Sequence, residues 1–403
     1  MRDIIFVSLE NWDEVWRRNQ FFCATLAGRY QGMKILFVGL AFNIPRHVLH
    51  CSMRELRGPI TWRVPEFPNI TVTHPLKFFP DSIAVGRKFN EWIARFQIRR
   101  VARKLGIRDS ILWLNPHSSV HMAGAMGERC VIYDITDDWT IQPSLPASER
   151  KVAEEQDRAL CERADLVIVC SESLMKSRRH SCKRILPIPN GVDARHYEAV
   201  QNRPDIRSWP APVFGYTGTL HSDRTDAGLI IALARAFPNG SVVLVGPDHW
   251  TNSDRKLLAA VSNVYMPGAV PYAKIPEVMA QFDVCVVPHV ETKFTESLNP
   301  IKLWEYLAAG KPIVATNIAG FRDYARFCRI ASGAEAFVAA CRAALNGHGH
   351  RSSEQIAEAR LHTWDARLDT LLEKLAELGW ISPDWRGKST TRAGVHKIGI
   401  GTS

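Results

Sequence analysis

A lysine and a glutamate three residues apart, Lys302 and Glu305, follow Asn299-Pro300 in the stretch from Ser297 to Pro312. The spacing predicts a helix with both ends marked. Asn299 suits the N-cap and Pro300 the first helical position, where its missing N–H is not needed. Gly310 suits the left-handed position past the last turn, and Pro312 blocks continuation. Ile301, Trp304 and Leu307 or Ala308 recur at helical spacing and would face a core, while Lys302 and Glu305 share another face. A helix N-terminus with a lysine in its first turn attracts phosphate, and a carboxylate one turn later accepts hydrogen bonds from sugar hydroxyls. That chemistry suits a nucleotide sugar, with diphosphate on the helix start and Lys302 and ribose on Glu305. The plainer reading is a surface ion pair on an amphipathic helix, and these residues alone leave both open.

Two further constellations could do chemistry. Phe214-Gly215-Tyr216-Thr217-Gly218-Thr219 reads as a strand running into a small-residue turn, with Arg224 shortly after. Gly218 would let backbone approach a phosphate, and Arg224 could close on it as a fork donor; a tight turn needing glycine for its backbone alone explains the same residues. In the first half, the strand Cys130-Val131-Ile132-Tyr133 runs into Asp134-Ile135-Thr136-Asp137-Asp138-Trp139. Carboxylates clustered at a strand's carboxyl end are placed to include a general base for a sugar hydroxyl, with Asp137 and Asp138 as the candidates and another aspartate capping the next helix. Asn115-Pro116-His117 ends the preceding strand, so His117 and Trp139 are candidates for an acceptor wall, although a lone histidine is more often structural.

These groups must be positioned by an α/β scaffold. Short apolar runs alternate with helical patterns, which implies parallel sheets. Strands are expected at Ile4–Leu9, Lys34–Val38, Ile70–Thr73, Ile111–Leu114, Cys130–Tyr133, Leu166–Val169 and Arg184–Pro187. After a polar, proline-rich linker over 201–212 the alternation restarts, with strands at Val213–Tyr216, Ser241–Val245, Val264–Met266, Val284–Val287 and Ile313–Ala315, a helix over Thr225–Ala236 and a long helical stretch over Ser353–Leu378. The expected organisation is two Rossmann-like domains facing a central cleft: 1–200, which would hold the acceptor, and 213–380, which would hold the donor. A basic tail over 381–403 reads as disordered. The first strand–helix turn has no G-x-G-x-x-G, which argues against a nicotinamide or flavin dinucleotide fold of that fingerprint.

Composition narrows the partners. The 403 residues carry a formal net charge of +10, nine cysteines with no C-x-x-C pair, and twelve tryptophans. Neither a disulfide framework nor a zinc site is indicated, and a reducing cytoplasm fits. No apolar run approaches the ~20 residues of a membrane span. Zinc-finger spacing, an RNA-binding aromatic signature and basic repeats are all missing, so nucleic acid is the least favoured partner. The segment 87–104 is basic and amphipathic, with Phe89, Trp92, Ile93 and Phe96 at i, i+3, i+4 and i+7. Such a face could rest on an anionic membrane at the inner side of the cell; a domain helix with a solvated basic face is the favoured reading.

The order of motifs resembles a family. Asp165-Leu166-Val167-Ile168-Val169, Ile188-Pro189-Asn190-Gly191-Val192-Asp193, Gly215-Tyr216-Thr217-Gly218-Thr219, Val245-Gly246-Pro247, Gly268-Ala269-Val270-Pro271-Tyr272 and the Lys302–Glu305 helix follow one another as in GT-B-fold glycosyltransferases of the family 4-like group. The chain is also similar to teichuronic-acid and xanthan-type sugar transferases carrying S-x-N-P-x-K-x-x-E-Y. The resemblance spans nearly the whole chain, strongest in the second half and weak between residues 40 and 110. It implies transfer of a sugar from a nucleotide-sugar donor, expected to be UDP-linked, to a glycan or lipid-linked acceptor in polysaccharide synthesis, with no metal or other cofactor required. Glu305 matches the ribose-binding glutamate, Lys302 and Arg224 match diphosphate cations, and Gly218 lies in the phosphate-facing turn. Ser297 stands where the family often has a first glutamate, with Glu296 one residue off, and Thr219 stands where many members have arginine. An inverting displacement with Asp137 or Asp138 as base and a retaining transfer are both compatible with this pattern. Other GT-B chemistry, such as epimerisation, and a non-catalytic sugar-binding scaffold are the alternatives.

Overall fold

A computed structural model describes residues 1–45, 59–80, 83–202, 208–347 and 352–387. The chain forms two compact units. Unit 1 comprises Met1–Thr136, Pro146–Ile188 and the chain from Leu368; unit 2 comprises Asp137–Leu145 and Pro189–Arg367. The short segment carrying Asp137, Asp138 and Trp139 therefore counts with unit 2, although its flanks in sequence belong to unit 1.

Unit 1 holds β1 (Ile4–Val7), β2 (Ile35–Val38), β3 (Phe42–Asn43), β4 (Thr61–Val64), β5 (Phe67–Thr73), β6 (Leu76–Lys77), β7 (Ile111–Leu114), β8 (Cys130–Ile135), β9 (Leu166–Val169) and β10 (Ile185–Pro187). Eight of them form one sheet in the order β10-β9-β8-β7-β1-β2-β5-β4. The pairs are parallel except for β4 on β5, an antiparallel edge the sequence pattern missed. The residues of β1, β2, β7, β8 and β9 are buried on both faces, so these strands read as continuous, mostly apolar runs. Ile5, Val7, Leu112 and Leu114 face Ile98, Ala102 and Leu160, while Phe6 packs on Phe37 and Trp113 of the neighbouring strands.

Unit 2 holds β11 (Val213–Thr217), β12 (Leu220–His221), β13 (Ser241–Val245), β14 (Asp248–His249), β15 (Val264–Gly268), β16 (Val284–Val287), β17 (Ile313–Ala315) and β18 (Cys328–Ile330). Its six-stranded sheet has the order β15-β13-β11-β16-β17-β18, and β18 is a strand the sequence pattern did not reveal. The two sheet faces are covered by different helices. Val213, Val243, Cys285 and Val287 meet Leu303, Trp304 and Leu307; Phe214, Tyr216, Leu244 and Val286 meet Ile230, Leu233, Phe337 and Cys341. The chain order reverses between β11 and β16, and in parallel sheets ligands bind beyond the strand ends at such a switch.

Some local expectations change. The stretch 353–378 is two helices, Ser352–Leu361 and Trp364–Glu377, because residues 362–364 break out to bond Val192: the Val192 N–H donates to the His362 carbonyl (3.0 Å) and the Trp364 N–H to the Val192 carbonyl (3.3 Å). A side chain at Gly191 would lie 2.9 Å from Thr363 and Trp364 backbone, so the Asn-Gly-Val-Asp motif is a close backbone crossing. Residues 381–387 are ordered, with Ile381 and Trp385 buried in place of a disordered start to the tail; the tail from 388 lies outside the described residues, as do 203–207 of the expected linker. The helix Ala84–Lys104 buries Gly86, Asn90, Ile98 and Ala102. Phe89, Trp92 and Phe96, the apolar row marked by spacing, are exposed.

Candidate nucleotide-sugar site

The helix at the heart of the site spans Ile301–Ala308. Pro300, in extended conformation, occupies the N-cap, one residue later than expected. Asn299 is not the cap because its side-chain oxygen accepts the Asn190 N–H at 2.8 Å, while the Asn190 amide donates to the Asn299 carbonyl at 2.5 Å. At the other end Gly310 adopts φ +59°. The Gly310 N–H bonds Leu307 and the Lys311 N–H bonds Tyr306, a Schellman closure.

Lys302 lies across the turn after β11. Gly218 has φ +138°, and a Cβ built there would collide with the lysine's last carbon and come within 2.5 Å of Nζ. The ammonium sits 5.0 Å from the Tyr216 ring centroid and has no hydrogen-bond or ion-pair partner among the described residues. Gly246, at the end of β13, packs directly on the Gly218 carbonyl, so a side chain at either glycine would fill the turn. The result is glycine backbone beside a cation at the switch point, an arrangement chemically suited to an anion. One turn on, the half-buried Glu305 accepts a hydrogen bond from Tyr197 at 2.9 Å. Desolvation pushes its carboxyl above the usual carboxylate range, against that hydrogen bond and the charge of Lys302. Tyr306 ties the helix to the strand: its hydroxyl accepts the Thr217 N–H at 2.9 Å.

Sequence reasoning missed Tyr197, Tyr306 and His289. His289 is buried, with 3% exposure, and its Nε2 lies 3.3 Å from the Tyr216 hydroxyl. Burial, then Lys302 and Arg224, hold it well below the usual imidazole range. Its position two residues after β16 was the only available signal.

Arg224 and the aspartates meet within unit 2. The Arg224 guanidinium donates to Asp137 at 3.0 Å and lies 5.5 Å from the Trp139 ring centroid and 5.2 Å from that of Phe294. Asp138 is buried, accepts the Thr140 hydroxyl at 2.5 Å, and directs its own N–H to Ser297 Oγ at 3.4 Å. Ser297 is buried and donates to the Phe294 carbonyl at 2.7 Å. Glu296 forms an ion pair with Arg322 at 2.8 Å. Thr219 is half-buried in the β11 turn.

The remaining candidates belong to unit 1. Asp134 is fully buried and receives the Arg18 guanidinium at 3.1 Å and the Trp113 indole N–H at 3.2 Å, a structural ion pair. His117 opens a short 3-10 turn, and desolvation holds it below the usual imidazole range. The structure thus separates His117 from Trp139 by unit and brings Gly218, Lys302 and Glu305 together. Among the described residues no three His, Cys, Asp or Glu side chains are grouped to hold a metal ion, and no helix is long and apolar enough to cross a membrane.

Two α/β units built on largely parallel sheets have the fold of GT-B glycosyltransferases. Residues 211–346 match the family described as Glycosyl transferases group 1. The putative teichuronic acid biosynthesis glycosyltransferase TuaH of Bacillus subtilis (strain 168) is 27% identical over 283 residues, covering 60% of this chain and 71% of that protein. Sucrose-phosphate synthase from Thermosynechococcus elongatus has the same fold, with a TM-score of 0.70 at 16% identity over 94% of this chain and 100% of the other. So does Anabaena HepE in complex with UDP and glucose, with a TM-score of 0.65 at 16% identity over 93% and 100%.

Proposed function

We propose that unit 2 binds a UDP-linked sugar and that the enzyme transfers the sugar to a glycan or lipid-linked acceptor in polysaccharide synthesis. The observation that carries this reading is the Lys302 side chain lying across Gly218, which leaves no room for a Cβ in the turn and sets an unpaired ammonium beside open backbone. The diphosphate would take the Gly218 turn and Lys302, and the ribose hydroxyls would donate to Glu305. The name of the Bacillus relative and the UDP and glucose held by the Anabaena neighbour support the choice of donor and pathway.

In the transfer, the bond from the sugar's anomeric carbon to the diphosphate oxygen breaks, and the electron pair leaves on the diphosphate. An acceptor hydroxyl oxygen bonds to that carbon and gives up its proton. Lys302 would offset charge on the leaving group, which is where a preorganised cation lowers a barrier most. Asp137 and Asp138 stand as the candidate proton acceptors. The ion pair of Asp137 with Arg224 supports a different role, holding the guanidinium between Trp139 and Phe294 so that it can turn to the diphosphate. The test is isothermal titration of UDP and steady-state UDP-sugar hydrolysis with the whole chain. Lys302→Ala should weaken UDP binding and cut turnover by about a hundredfold. Unchanged UDP affinity in that variant overturns the donor site.

A further inference from the structure

We propose that helix 84–104, together with Phe78 and Phe79 before it, forms a bilayer-docking surface for anionic phospholipid. The helix turns its aromatic ridge outward. Val85 is 78% exposed, Trp92 54% and Phe96 51%, and Ile83 and Phe79 add 56% and 45% beside them. The rings form one continuous row: Phe79 meets Phe89 at 5.1 Å, Phe89 meets Trp92 at 5.7 Å and Trp92 meets Phe96 at 6.2 Å between centroids. From Val85 to Phe96 the ridge runs about 17 Å along the helix.

The row is built by specific contacts. The buried Asn90 side chain receives the Phe78 and Phe79 N–H groups at 3.0 and 3.2 Å and donates to the Phe79 carbonyl at 2.8 Å. Gly86 lets the loop pack closely, since a Cβ there would lie 2.8 Å from Phe79 Cβ. A helix residue thus clamps the preceding loop so that Phe79 extends the ridge. Such a solvent-facing apolar strip marks an interaction surface.

Charge selects the occupant. The helix carries seven arginines and lysines against one acid, Glu91. Arg95 donates to the His121 carbonyl and Arg99 to the Ala125 carbonyl, both spent on unit 1 itself. Lys88, Arg100, Arg103 and Lys104 are exposed and have no ion-pair partner among the described residues. A second copy docked ridge to ridge would bring two such cationic helices together, a repulsive arrangement. Lipid phosphates complement the cations, while the acyl boundary takes the rings. The inference does not rest on the donor site, which lies on the other unit.

Co-sedimentation of the full chain with vesicles tests it, using phosphatidylcholine alone and phosphatidylcholine mixed with phosphatidylglycerol. The expected result is binding to the mixed vesicles that weakens with salt. The double variant Trp92→Ala/Phe96→Ala should lower partitioning by at least about tenfold. Arg100→Ala/Arg103→Ala should lower it about fivefold per cation on the mixed vesicles alone. Both variants change exposed side chains, so their melting temperature and UDP-sugar hydrolysis without vesicles should match the parent. Failure of the parent to sediment with mixed vesicles, equal binding by the variants, or a concentration-dependent dimer of the parent that the ridge variant abolishes would overturn the proposal.

Discussion

Glu305 shows how a residue proposed for the donor site can cost stability. Its carboxyl is held above its ordinary pKa by desolvation, so the folded state binds the proton more tightly than the unfolded one. Its contribution to stability is full below the unfolded-state pKa of about 4.3 and is lost as pH rises through the higher folded value. Glu305→Gln should therefore melt at or above the parent temperature at pH 7, with the difference vanishing at acid pH, while UDP affinity falls about tenfold through loss of a charged acceptor. A drop in melting temperature at pH 7 with full UDP affinity would reverse that assignment. Asp137 separates two roles by kinetics. As Arg224's anchor, Asp137→Asn should raise KM for the donor more than it lowers kcat; as a general base it should cut kcat by about a hundredfold or more.

Elements are joined here by backbone approaches that only particular residues permit. The Asn190-Gly191-Val192 crossing and the break at 362–364 hold each other: Arg367 donates to the Asn190 carbonyl at 3.2 Å, and His362 stacks on Trp304 at 4.1 Å. The last residues of unit 2 thereby brace the helix carrying Lys302 and Glu305. Gly191→Ala pushes a methyl group into backbone that cannot yield, which should cost about 1–3 kcal/mol and lower the melting temperature by several degrees in a thermal scan. The Lys302–Glu305 helix itself was legible because its residues act locally, through spacing and a Gly-Lys-Pro ending. Its true N-cap was not, because Asn299 prefers a partner more than a hundred residues away in sequence.

At the scale of the whole molecule, chain order and unit membership differ. The family match ends at residue 346, yet unit 2 runs on to Arg367. Within it the Gln355 amide donates to the Phe327 carbonyl at 3.1 Å, and Ala359 is part of the core. A chain stopped at residue 347 should accumulate as insoluble protein, whereas one stopped at 387 should remain folded, as judged by yield and circular dichroism. Soluble, cooperatively melting protein from the shorter chain would refute that requirement.

What the sequence determined by itself was the α/β alternation, most strand positions and the Lys–Glu helix, since apolar runs, turn residues and helical spacing are local properties. Tertiary structure decided the rest. It assigned three neighbouring aspartates to three different partners, Arg18, Arg224 and Thr140, because a carboxylate's role follows from the cation or hydroxyl the fold brings to it. It also chose which face of helix 84–104 is buried. Spacing marks an apolar row, but only packing decides whether that row meets the core; here Gly86, Asn90, Ile98 and Ala102 take the inner side and leave the aromatic ridge to solvent.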